Sequence, residues 1–134
     1  MPGAIVPYHT ASIHLPTHEA VKAFLSSALH NVTEETFALL LLDKAYRVLH
    51  FYQTPNVTLT TAYPRYVIHH ALKHKAHTIV LARGFPSEAP HVSRTEIKLV
   101  KSLKALLALI DIHVLDLIAV TPFSCESLTG SGRL

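Results

Sequence analysis

The sequence predicts an α/β (α+β) fold in which helices flank a mixed β-sheet. Apolar runs of strand length alternate with segments whose apolar residues recur every three or four positions, as on one face of a helix. Two of the apolar runs follow each other across a short turn, which is typical of an antiparallel hairpin. A strand, a loop and a long helix then follow in order over residues 77–110, an arrangement typical of sheets with helices packed on them.

The first half of the chain is predicted to form one helix and one hairpin. After an irregular lead-in over residues 1–15, Pro16-Thr17 opens a helix with apolar residues at helical spacing. The run ETFALLLLD, residues 35–43, is predicted to be a buried strand, and YRVLHFYQ, residues 46–53, its hairpin partner. The segment VTLT, residues 57–60, is predicted to add a short strand.

The second half is predicted to alternate helices and strands. YPRYVIHHALKHKA, residues 63–76, places a proline in the first turn of a helix and carries an apolar stripe. HTIVLA, residues 77–82, is a buried strand, and after a loop a helix runs from Ser93 to about Ile110. IHVLDLIAV, residues 112–120, is the last long strand.

Length and composition indicate one domain over residues 16–128, with a flexible tail over 129–134. Of the 134 residues, 49% are apolar and 16% charged, which argues against disorder. The longest apolar runs are too short for a membrane span, and we expect no membrane partner. The N-terminal residues lack a basic segment before an apolar core, and Cys125 is the only cysteine. We therefore expect neither a secretory signal nor a disulfide, and a cytoplasmic protein.

The charge distribution favours a solvated, mildly basic surface over a nucleic-acid interface. The formal net charge is +3, and the basic residues are scattered along the chain. A nucleic-acid-binding surface is typically a dense basic stripe interleaved with aromatic residues, whereas only 7% of this chain is aromatic. DNA is therefore retained as a weakly supported partner.

The loop in LARGFPSEAPHVSRTEI, residues 81–97, is the strongest candidate for a functional site. Ser93 and Glu96 have the spacing of a capping box, in which each side chain satisfies a backbone N–H at the helix start. Glu96 also begins the apolar face of the helix, where a carboxylate can serve as a ligand, and the spacing does not separate these two roles. If the strand continues, Arg83 and Phe85 point to one face, towards Glu96.

The order of landmarks from Ile13 to about Leu128 resembles the RadC-type branch of the JAB/MPN metalloprotease family. LLLLDKAYRVL matches the family's hydrophobic strand and hairpin, and YPRYVIHHAL matches its His-Pro-Arg helix start. TIVLARGFPSEAPHVSRTEI matches its strand and His-x-His-Pro-Ser-Gly loop, and IHVLDLIAV matches its Val-Leu-Asp-His strand. The resemblance implies the JAB/MPN architecture, which is cytidine-deaminase-like.

The resemblance also assigns positions in the family's zinc site. In that family two His and an Asp hold a zinc ion that activates water, an upstream Glu is the acid/base, and a Ser supports the oxyanion. By position, Arg83 and Phe85 replace the two His, Ser93 is the Ser, and Glu96 replaces the Asp. The upstream Glu falls near His50.

These replacements imply a degenerate site with no resident metal or other cofactor. The positive charge of Arg83 opposes a second cation, and Phe85 offers only apolar surface. We expect Arg83 to take the place of the zinc's positive charge and to form a salt bridge with Glu96, which would strand a partly buried charge if it were broken.

Eleven histidines leave room for other sites. His70 and His74 are spaced four apart, which allows one helix face to hold a transition metal, but no carboxylate or cysteine accompanies them. We therefore prefer no metal there and keep the pair as an alternative. Cys125 is expected to be a buried or edge-strand cysteine rather than a nucleophile.

Two classes of function follow from the resemblance. The first is a non-catalytic pseudo-enzyme that acts as a binding or scaffold module for a protein partner or a second copy of itself, with the DNA-repair association that RadC-type proteins carry. The alternative is a zinc-dependent metallohydrolase or peptidase with a rearranged site built from Glu96 and histidines. Metal content distinguishes the two, and salt-dependent DNA binding tests the DNA association.

Overall fold

The computed structural model describes residues 13–55 and 62–134. Within them three helices and five strands follow one another as α1 (His18–Leu29), β1 (Thr36–Leu42), β2 (Val48–Pro55), α2 (Ala62–Lys73), β3 (Thr78–Gly84), α3 (Arg94–Ala108), β4 (His113–Val120) and β5 (Cys125–Ser127). The strands form a single mixed sheet, which confirms the predicted fold class.

The sheet has the strand order β2-β1-β3-β4-β5. Strands β1 and β2 form the predicted antiparallel hairpin, and β3 pairs antiparallel with β1 on its other side. Strands β3 and β4 are parallel, because α3 carries the chain back to the start of the sheet between them. The loop between β3 and α3 therefore leaves the end of a central strand, where side chains from several elements meet.

Each face of the sheet is covered by a helical layer with its own apolar core. On one face, α2 and α3 bury Val67, Ala71, Val100, Leu103 and Leu107 against the strands. On the other face, α1 buries its Val21, Leu25 and Leu29 stripe against the alternate strand residues. Strands β1 and β3 are buried along their whole length, as expected of strands covered on both sides.

The helix ends follow local capping rules. Thr17 accepts a hydrogen bond from the Ala20 N–H at 3.0 Å, and this cap starts α1. Lys75 and Asp111, both at positive φ, follow α2 and α3 with the paired backbone hydrogen bonds of a Schellman motif. These turns direct the chain straight into β3 and β4.

One short strand differs from what the sequence suggests, and both ends of the described part of the chain make backbone hydrogen bonds. Strand β5 was not predicted, because three residues reading Cys-Glu-Ser show no apolar alternation. Residues 129–134, expected to be a flexible tail, form hydrogen-bonded turns, with the Arg133 N–H donating to Leu128 O at 2.9 Å. At the other end, the Leu15 N–H donates to Tyr46 O. The strand predicted over 57–60 lies outside the described residues, as does most of the lead-in.

Candidate functional site

Arg83 is the central residue of the candidate site. It lies near the end of β3, paired with Phe37 of β1 and Ala119 of β4, and is 9% exposed. Phe37, Ala119 and Phe85 belong to the core between the sheet and α2/α3. Since directly paired residues project to the same side of a sheet, Arg83 also projects to this face. This confirms the expectation that Arg83 and Phe85 share a face.

Among the described residues, the Arg83 guanidinium contacts the side chains of Glu96, Glu35 and Phe85. Its Nη1 donates to Glu96 Oε1 at 2.5 Å, and its Nη2 donates to Glu35 Oε1 at 2.7 Å. Its Cζ lies 5.1 Å from the centre of the Phe85 ring, within range of a cation–π interaction. The salt bridge expected between Arg83 and Glu96 is therefore present, and Glu35 is a second partner that the sequence did not reveal.

Glu96 lies in the first turn of α3 and is 1% exposed. Its N–H donates to Ser93 Oγ at 3.1 Å, which is one half of the predicted capping box. Its carboxylate faces Arg83, and Oε2 has no hydrogen-bond partner among the described residues. Burial raises the pKa of the Glu96 carboxyl, while the charge and hydrogen bond of Arg83 act in the opposite direction.

These residues do not fit a zinc ion. Zinc takes lone pairs from thiolate, imidazole or carboxylate groups, whereas a guanidinium has five donors and no acceptor. Arg83 and Phe85 thus supply no ligand atom at the two His positions, and Ser93 Oγ caps the helix. Glu96 can supply a carboxylate, but it is already paired with a cation. The arrangement can hold a buried charge pair in place, and it offers no set of ligands for a metal.

His50 is not brought to this site. It pairs with Leu41 of β1, whereas Arg83 is level with Phe37 at the other end of that strand. This offset of four residues along β1 corresponds to about 13 Å. The β2 residue level with Arg83 is Thr54, which pairs with Phe37. The upstream Glu position inferred from the resemblance is therefore far from the other four site positions.

His50 instead joins His70 and His74 around Tyr52. The His50 and His74 rings stack at 4.7 Å, the His70 ring lies 3.9 Å from that of Tyr52, and His74 Nε2 is 2.7 Å from the Tyr52 hydroxyl. Burial lowers the pKa of His50 and His74, and lowers that of His70 to about 4. Within residues 13–55 and 62–134 no group of three or more His, Cys, Asp or Glu has the geometry to hold a metal ion. The hydrogen bond between Tyr52 and His74 also competes with metal binding at the alternative His70/His74 pair.

Cys125 behaves as expected from the sequence. It is half-buried in β5, its Sγ lies 3.7 Å from the Lys22 carbonyl oxygen, and burial raises the pKa of its thiol. A raised thiol pKa lowers the fraction of nucleophilic thiolate at neutral pH.

Sequence reasoning missed a pair of side chains on the opposite face of the sheet. Asp116 is completely buried, and its Oδ2 lies 2.8 Å from Nε2 of His18 at the start of α1. The available signal was the carboxylate itself, since an acidic residue inside the apolar run VLDLIAV requires buried partners.

Comparison with known proteins agrees with this fold. The sequence profile of the RadC-like JAB domain matches residues 15–133. The UPF0758 proteins of Verminephrobacter eiseniae and Albidiferax ferrireducens are each 40% identical over 120 residues, which cover 88% of this chain and 51% of the relative. The UPF0758 protein of Aeromonas hydrophila is 38% identical over 104 residues, 76% of this chain and 46% of the relative.

The chain spans about half the length of these curated relatives. In the part of the chain that the structure describes, no helix has the length and apolar character needed to cross a membrane. The profile match covers nearly the whole chain, and the five-stranded mixed sheet with helices on both faces agrees with the architecture that the resemblance implies. The chain therefore belongs to the RadC-like JAB domain family.

Proposed function

We propose that this chain is a pseudo-enzyme of the RadC-like JAB family that acts as a binding or scaffold module. One observation carries the proposal: the Arg83 guanidinium is bonded to Glu96, the residue at the family's Asp position. A buried ion pair thus takes the place that the resemblance gives to a zinc ion and its ligands. The same contact disfavours the alternative of a zinc-dependent hydrolase or peptidase.

The energetics of the ion pair support this proposal. Zinc at the Glu96 carboxylate, which is 1% exposed, would either lie beside the Arg83 guanidinium or displace it from Glu96 and Glu35. Cation repulsion opposes the first arrangement, and in the second the guanidinium loses two charge-assisted hydrogen bonds. Phe85, 2% exposed, adds no ligand that could compensate for this loss.

Exposed apolar side chains support a role in protein binding. Four of the five large apolar side chains exposed among the described residues are Leu72 at the end of α2 and Leu106, Leu109 and Ile110 at the end of α3, each at least 50% exposed. The two helices lead into the paired starts of β3 and β4, so these side chains lie towards the end of the sheet opposite Arg83. Exposed apolar surface at one end of a domain favours a protein contact there.

Zinc content tests the loss of metal binding. Tag-free protein, dialysed against a buffer that contains zinc and analysed by plasma mass spectrometry, should contain substoichiometric zinc. The variant Arg83→His/Phe85→His/Glu96→Asp restores the family's ligand types and should retain about one zinc per chain. Arg94→His, on the exposed start of the same helix, is the control and should bind no more than the natural chain. About one zinc per natural chain would overturn the proposal and favour the hydrolase.

Sedimentation velocity tests the binding role for a second copy of the chain. We expect concentration-dependent dimerisation that Leu109→Glu abolishes, while Phe123→Glu, at an equally exposed apolar residue elsewhere, leaves it intact. A chain that stays monomeric at all concentrations would contradict the homodimer. DNA binding that weakens steeply with salt would instead favour the DNA-repair association of the family.

A further inference from the structure

Asp116 is directed to the α1 face of the sheet by an irregularity in β4. Ile79 pairs with Val114 and the next β3 residue, Val80, pairs with Asp116, so the register skips Leu115. Because Asp116 is paired with Val80, its side chain points to the same face as this residue, against α1. Bulges of this kind are enriched next to functional sites, where they re-aim a side chain.

The Asp116 carboxylate is fully satisfied and orients His18. Oδ1 accepts hydrogen bonds from the backbone N–H groups of Leu117 at 2.8 Å and Thr129 at 3.0 Å, and Oδ2 accepts from Ser127 Oγ. The remaining contact is with His18 Nε2 at 2.8 Å. A carboxylate can only accept, so Nε2 carries the hydrogen. In the neutral imidazole the lone pair is therefore on Nδ1.

His18 lies at the wall of a cavity of about 290 Å³. The His18 side chain is 41% exposed, so a molecule from solvent can reach it. Besides His18, it is lined mainly by the apolar side chains of Leu15, Val21 and Leu115 and by three hydroxyl-bearing residues, Thr17, Tyr46 and Thr129. Ligand sites have this composition, with an apolar lining and a few polar groups that fix the orientation of the bound molecule.

We propose that this cavity binds a small, mainly apolar group that carries one hydroxyl donor, such as a phenol, with its O–H directed to His18 Nδ1. Asp116 is the positioning residue, because it fixes the tautomer and the ring orientation. An anionic ligand is disfavoured, since the His18–Asp116 pair carries no net positive charge in either protonation state of the imidazole. The phenol can come from a free molecule or from a tyrosine side chain of a partner.

This site is independent of the proposed function. His18 and Asp116 lie on the α1 face, whereas Arg83 and Glu96 lie on the α2/α3 face. Whether or not the site around Arg83 binds zinc, the ligand expected in the His18 cavity is the same.

Titration with phenol and anisole, followed by NMR of the full chain, tests the proposal. Phenol should cause saturable shifts in the His18 imidazole and in the methyl groups of Val21 and Leu115. Anisole has the same ring but no O–H, so its binding should be weaker by roughly threefold to tenfold, as for the loss of one hydrogen bond. This comparison uses the natural chain and does not depend on a variant that must fold.

Two variants test whether the preference for phenol over anisole depends on His18. His18→Phe keeps an aromatic ring but removes Nδ1, and it should abolish the preference for phenol over anisole. His113→Phe, at an exposed histidine at the start of β4, should preserve that preference. Equal affinity for phenol and anisole in the natural chain, or no saturable shift at His18, would overturn the proposal.

A third probe, N-acetyl-tyrosinamide, distinguishes the source of the phenol. Binding at least as tight as that of phenol supports a tyrosine side chain from a protein partner. Binding of phenol alone supports a free small molecule.

Discussion

Replacing Arg83 by methionine should destabilise the protein more than any exposed arginine replacement. Methionine keeps a long apolar side chain beside Phe85 but removes the cation that faces Glu96 and Glu35. Glu96, 1% exposed and with Oε2 already lacking a hydrogen-bond partner among the described residues, would then keep a buried charge without compensation.

The size of the effect follows from the burial of the two carboxylates. Removing one partner of a buried ion pair costs about 3–5 kcal/mol. The contact with Glu35, whose side chain is 52% exposed, adds at most about 1 kcal/mol, because solvent screens it. For a domain of this size, a loss of that magnitude lowers the melting temperature by roughly 10–20 °C.

The pH dependence identifies Glu96 as the cause. Without Arg83, burial still raises the pKa of the Glu96 carboxyl, and the charge that lowers it is gone, so its folded pKa rises further above the ordinary value of 4.5. A carboxyl with a raised folded pKa binds its proton more tightly in the folded state, so stability increases as pH falls. The difference in free energy of unfolding between Arg83→Met and the natural chain should therefore become smaller from pH 7 towards pH 4.5.

Urea unfolding of both proteins at several pH values measures this deficit. The double variant Arg83→Met/Glu96→Leu removes both charges and should recover most of the loss, since apolar replacements of buried ion pairs are often neutral. Arg94→Met, at the exposed start of α3, serves as the control and should change the free energy of unfolding by less than about 0.5 kcal/mol. A deficit for Arg83→Met no larger than the control, or one that does not vary with pH, would refute the reasoning.

Three further predictions concern the surroundings of the site. Ser93→Ala should lower the free energy of unfolding by about 1 kcal/mol in urea titrations, because α3 loses its cap. Ser93→Asp should retain most of the stability of the natural chain, because aspartate also caps helices. Glu35→Gln should cost at most about 1 kcal/mol, a loss that high salt should reduce, since the carboxylate is half-exposed. His70 should titrate near pH 4 by NMR, where burial places its pKa. The neutral His70 ring should contribute fully to stability above its ordinary pKa of 6.5, and this contribution should be lost as pH falls through 4. His70→Phe should weaken this pH dependence of the free energy of unfolding. A His70 titration midpoint near 6.5 would contradict the prediction.

The sequence by itself determined the elements and the loss of the family's ligands. Apolar periodicity, caps and turns act within a few residues, so they predicted the helices, the long strands and the Ser93 cap. The identities of Arg83 and Phe85 likewise needed no structure. The ion pair with Glu96 was predictable because both residues flank one loop that joins a strand to its following helix.

Only the tertiary structure decided which distant side chains meet. Strand register places His50 level with Leu41 and beside His74, far from Arg83, and register depends on pairing between whole strands. Glu35 reaches Arg83 across the β1–β3 pairing, and the irregularity in β4 turns Asp116 towards His18, 98 positions away in the sequence. Contacts of this kind arise from the packing of separate elements, and local sequence patterns do not encode that packing.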